Sequence, residues 1–132
     1  MGPLTFFFDR NFGTRLPQAL KSMNPPVRIK WHQGEGFPQA MPDDQWLEVV
    51  GAQGWVVLSQ DRKFHLIEVE AKAIKQHKIR CFYLRCASEP KWVSLCNFVR
   101  KHEKMIGNSE RLPAPFIYEL KSNGQFYPVP LP

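Results

Sequence analysis

Hydrophobic and polar positions fall in short blocks whose period switches between strand-like and helix-like. In "TFFFDRNFGTRLPQAL", Thr5 to Phe8 is a continuous apolar run, the pattern of a strand covered on both faces. Leu16, Leu20 and Met23 follow at i, i+4 and i+7, a helix stripe that ends before "NPP" at 24–26. Val27 to His32 alternates as a second strand, and "QGEGFPQAMP" then reads as a flexible connection. Pro42, Asp43 and Asp44 open a helix with Trp46, Leu47 and Val50 inward and Gly54 beyond its end. Trp55 to Leu58 is a third strand running into "SQD". Leu66 to Gln76 is a helix with Ile67, Ala71 and Ile74 on its inner face, and Ile79 to Leu84 is a fourth strand. A last helix starts near Ser88, Glu89 and Pro90, turns Trp92, Leu95, Cys96 and Val99 inward, and stops at Gly107 and Asn108. In the proline-rich tail, "FIYELK" offers an edge strand.

This alternation predicts a three-layer α/β fold with a largely parallel sheet of four or five strands flanked by helices. At 132 residues the chain is expected to form one domain, 1–132. No apolar run approaches the ~20 residues of a membrane span. The start "MGPLTFFFDR" lacks the charged and apolar regions of a signal peptide. Cys81, Cys86 and Cys96 are an odd set without paired C-x-x-C spacing, which favours reduced thiols in a cytoplasmic protein over a zinc site. His32, His65, His77 and His102 are scattered and read as surface or turn residues.

Charge sharpens the picture. Residues 1–61 carry five Lys and Arg against six Asp and Glu, while residues 62–132 carry thirteen against six, so the net +6 comes from the second half. A basic half suits a polyanion such as nucleic acid. The four aspartates, Asp9, Asp43, Asp44 and Asp61, all fall just after a predicted strand or in the first turn of a predicted helix. If the first three strands are neighbours, all four project to one sheet edge. Like charges gathered there call for a cation, and oxygen ligands favour Mg²⁺ or Mn²⁺. Beside a basic half, such a cation implies phosphodiester hydrolysis.

"FFFDRNFGTRLPQAL", "MPDDQWLEVVGAQGWVVLSQDRKF" and "KIRCFYL" together resemble, in order and spacing, the PIN-like nuclease domains, especially the VapC-type toxins of bacterial toxin–antitoxin pairs. The resemblance covers about residues 4–106, leaving a C-terminal extension of about 107–132. It implies a metal-dependent endoribonuclease with RNA as substrate, an antitoxin protein as partner, and a second copy of the chain as another candidate partner. Asp9, Asp43 and Asp61 match the family's acids as catalytic and metal-holding residues, with Asp44 an alternative ligand. Asn11 and Ser59 match supporting positions, and Arg10, Arg62 and Lys63 flank the acids as candidate RNA contacts or, equally, as salt-bridge partners that hold the acids apart. The chain departs from the family where Lys63 replaces a second aspartate, which leaves Glu68 and Glu70 as weak substitutes. Three other readings compete. A response-regulator receiver could use Asp61 as its phosphorylatable residue but would need an acidic neighbour beside Asp9. A haloacid-dehalogenase-type phosphatase would need an acid where Asn11 stands. A non-catalytic RNA-binding module would use Trp31, Trp92, Phe82 and Tyr83 for stacking, although Phe82 and Trp92 fit core positions.

Overall fold

Consecutive strand residues face opposite sides of a sheet, so Phe6-Phe7-Phe8 demands apolar cover on both. The structure, a computed structural model describing residues 3–60, 63–84, 89–121 and 123–132, supplies it. In chain order the elements are β1 (Thr5–Phe8), a single 3-10 turn (Arg10–Phe12), α1 (Arg15–Ser22), β2 (Arg28–Trp31), α2 (Asp43–Gln53) and β3 (Val56–Ser59). They continue with α3 (Glu68–Gln76), β4 (Arg80–Leu84), α4 (Lys91–Arg111), β5 (Phe116–Leu120) and β6 (Phe126–Pro128). Helical crossovers make β1 to β5 parallel, and β6 returns antiparallel along β5. The sheet order is β2-β1-β3-β4-β5-β6.

One face carries Phe6, Phe8, Ile29, Val56, Leu58 and Phe82, covered by Leu16 and Leu20 of α1 and by Phe98 and Met105 of α4. The other carries Phe7, Val57, Cys81 and Tyr83, covered by Trp46, Leu47 and Val50 of α2 and by Ala73 and Ile74 of α3. The three-layer α/β expectation holds, with six strands in place of four or five. β5 is internal because β6 pairs along its outer edge; a three-residue strand beside prolines carries too little periodicity to announce itself. No helix among the described residues is long and apolar enough to cross a membrane.

Several side chains depart from expectation. Trp92 is 73% exposed and Val99 is also exposed, because α4 buries Ser94, Phe98, Met105, Asn108 and Ser109 instead. An apolar stripe at helical spacing does not by itself decide which side meets the sheet, and here the polar-flanked Phe98 stripe does. The helix also continues through Gly107 and Asn108 to Arg111. The expected cap residue Ser88 lies outside the described residues. Met23 is exposed just past the end of α1, and Ile67 is exposed just before α3.

α2 ends at Gly54, whose φ of +73° lets its N–H close the last turn on Val50 and Gly51 carbonyls. Within that last turn, Gly51 is set by packing. A Cβ there would stand 2.6 Å from His77 Cβ and 3.0 Å from the His77 carbonyl oxygen. Exposed helix glycines usually gain up to about 1 kcal/mol on change to alanine. Gly51→Ala is expected to reverse that sign and lower the urea unfolding midpoint, since the added methyl must push α2 away from the turn after α3.

Candidate functional site

Strand order reverses between β1 and β3: the chain moves from β1 to β2 on one side and from β3 to β4 on the other. Such a switch point opens a crevice at the carboxyl ends of the strands, where ligands of open α/β sheets collect. Asp9 lies in it. Its backbone N–H donates across the switch to the Leu58 carbonyl at 3.1 Å, and its Oδ1 accepts the Asn11 backbone N–H at 3.0 Å, capping the 3-10 turn. The carboxylate is only 2% exposed. Burial, and then the Asp9 charge, push the Cys81 thiol well above its ordinary value, so that cysteine is a protonated core residue.

Asp43 arrives in the same crevice from the first turn of α2. It is 7% exposed and fully engaged: Oδ1 accepts Trp46 Nε1–H at 2.8 Å and pairs with Arg10 at 3.1 Å, while Oδ2 faces Lys63 Nζ at 3.7 Å. Trp46 is a core ring tilted against Phe7, with centroids 5.2 Å apart, so the carboxylate is braced from below by the hydrophobic interior. Arg10 is held as firmly. Its Nη1 donates to the Gln39 carbonyl at 3.1 Å and the Met41 carbonyl at 2.8 Å, and its Nη2 to Asp43. It thereby ties the connection after β2 to the residue that follows Asp9.

The other expected residues sort plainly. Ser59 ends β3 fully buried, opposite Tyr83 in register. Asn11 is exposed, and its carbonyl accepts Gln60 Nε2–H at 2.7 Å. Asp44 is half-buried beside Asp43. Glu68 faces solvent at the start of α3 and pairs with Lys72 at 3.4 Å. Asp61 and Arg62 lie outside the described residues. Lys91, which no sequence pattern singled out, donates from Nζ to the Phe12 carbonyl at 2.9 Å and brings the start of α4 to the crevice.

The residue most misjudged from sequence is His32. Read as a surface or turn residue, it is 1% exposed at the end of β2, with its backbone N–H on the Phe8 carbonyl. Its ring lies edge-on to Phe37 and Trp46, and neither ring nitrogen has a hydrogen-bond partner among the described residues. Burial and then the Arg10 charge lower its pKa, outweighing the opposing pull of Asp43. Alternation in "VRIKWH" misleads, since it places His32 on the side of Arg28 and Lys30, opposite buried Ile29, and gives no sign that Phe37 and Trp46 cover it there.

A family model described as a PIN-like domain matches residues 4–86. The chain belongs to the PIN-like domain family. That span runs from before β1 to beyond β4 and contains every element just described except the start of α4. No curated protein and no solved structure matches the chain. PIN-like domains are generally nucleases, and their sites typically use divalent metal ions. The described donors suit a hard cation in kind, since the carboxylates offer oxygen. They do not suit one in number. Asp43 is committed to three donors, and among the described residues no three Asp, Glu, His or Cys side chains converge into a metal-holding group.

His32 yields a pH test. The unfolded chain protonates it at its ordinary value of 6.5, whereas the folded chain keeps it neutral to lower pH. The unfolded state therefore binds more protons there, and stability falls as pH drops below about 6.5. His32→Leu removes a buried donor and acceptor that have no partner among the described residues, so urea unfolding at pH 7.5 is expected to change little. The same titration at pH 5.5 should show a smaller acid loss than wild type.

Proposed function

We propose that this PIN-like domain is a metal-dependent endoribonuclease, the toxin of a bacterial toxin–antitoxin pair acting in the cytoplasm. The observation that carries the reading is Asp9, a buried carboxylate at the switch point of a fold whose members are generally nucleases. The order of the Asp9, Asp43 and Asp61 motifs, which resembles VapC-type toxins, supports RNA as substrate and an antitoxin as partner. Mg²⁺ or Mn²⁺, when bound, supplies a Lewis acid for the phosphodiester. Asp9 is the carboxylate best placed to hold it, with Asp61 as the second acid read from sequence. Asn11 fixes Asp9 through its backbone N–H, and Ser59 ends the adjacent strand beside it. Arg10 and Lys63 supply positive charge for phosphate groups at the same edge, and Lys91 fastens the start of α4 there.

A second reading, a nucleic-acid-binding domain without catalysis, is favoured by the cations already paired with Asp43 and by the exposed Trp92, a surface for base stacking.

Cleavage of a mixed RNA pool by wild type and Asp9→Asn, with Mg²⁺ or Mn²⁺ and with EDTA, separates the two. The nuclease reading expects metal-dependent cleavage that drops to background in Asp9→Asn, with circular dichroism unchanged. Tight RNA binding with no cleavage under any condition would favour the second reading instead.

A further inference from the structure

We infer that Asp43 is a positioning residue that holds Arg10 as a preformed phosphate clamp, and is not a metal ligand. The inference rests on the nucleic-acid reading above and departs from the acid-by-acid match to the family. The contacts carry it. A guanidinium has five N–H donors. Three of Arg10's are spent on Gln39, Met41 and Asp43, which fixes the plane of the group. Two remain, on a side chain that is 23% exposed and belongs to the residue directly after Asp9. A planar, charged fork already ordered by the protein loses little entropy on taking a phosphate.

Asp43's own contacts point the same way. Its Oδ1 serves both an indole N–H and the guanidinium, and its Oδ2 faces a second cation. A divalent ion on this carboxylate would have to strip off Arg10 and stand close to Lys63. With two positive partners, Asp43 is suited to orienting guanidinium charge and not to collecting metal charge.

The sign of one experiment decides. Removing a carboxylate from a nucleic-acid site ordinarily tightens polyanion binding. If Asp43 works through Arg10, removing it weakens binding. Fluorescently labelled single-stranded RNA is titrated in EDTA against wild type, Asp43→Asn, Arg10→Gln, Arg10→Lys and the Asp43→Asn/Arg10→Gln double variant, with near-ultraviolet circular dichroism reporting the packing of Trp46. Asp43→Asn and Arg10→Gln are each expected to weaken binding by about tenfold. Each should lower the slope of log affinity against log salt by about 0.7, one phosphate contact on a single strand. The double variant should be no weaker than Arg10→Gln, and Arg10→Lys should not restore binding. In parallel, Mn²⁺ titration followed by electron paramagnetic resonance should show affinity retained in Asp43→Asn and lost in Asp9→Asn.

Tighter RNA binding by Asp43→Asn would overturn the inference, as would loss of Mn²⁺ affinity matching that of Asp9→Asn, or wild type that binds no RNA. The cleavage reading fails separately: RNA binding with the expected pattern but no cleavage removes the nuclease and leaves the clamp.

Discussion

A carboxylate cannot leave water without compensation, and Asp43 has left it. Breaking a buried ion pair by removing one partner typically costs about 3–5 kcal/mol, because the other charge stays behind. The crevice is organised around avoiding that cost. Trp46 meets the carboxylate from the core, Arg10 meets it from the turn after β1, and Lys63 meets it from the segment after β3. Three separate stretches of chain thus converge on two oxygens. Arg10 extends the network through its carbonyl contacts, so the path from β2 to α2 is fastened by the same cation that neutralises the start of α2.

The topology explains why this network and Asp9 share one place. The reversal of strand order separates the connections that leave β1 and β3, and residues just past those strands line the gap. Asp9 and Arg10 are adjacent in sequence but opposite in charge, and they turn to different partners. Asp9 caps its own turn, whereas Arg10 reaches to α2. The aromatic floor beneath, Phe7 with Trp46, Phe37 and Trp55, keeps both on a rigid base. His32 is the cost of that floor, an imidazole enclosed by rings and left with no hydrogen-bond partner among the described residues.

Most of the layout was legible because the strands are short, apolar runs closed by polar residues. β1, β3 and β4 fall within a residue of their expected bounds, and α2 starts at Asp43 as its proline and paired acids indicate. What could not be read is which side of an element faces in when both sides carry apolar residues. α4 illustrates this: Trp92 and Val99 lie outward because Phe98 and Met105 fit the groove beside Phe6 and Phe8. That Asp9 closes β1 and Asp43 opens α2 was legible from the strand and helix ends. Pairing of the acids with Arg10 and Lys63 was one of two roles the sequence left open for those cations, and only the packed turns, from 33 residues before and 20 after, bring both to Asp43.

Lys63 ties these observations together. Here the lysine lies against Asp43, which Arg10 already neutralises. Asp9 is braced by the Asn11 N–H and by the bond across to β3. The crevice therefore sets the Asp9 carboxylate near the cations that meet Asp43. On the proposed nuclease reading, a phosphodiester would set its charged oxygens against the guanidinium and its phosphorus toward the Asp9 carboxylate.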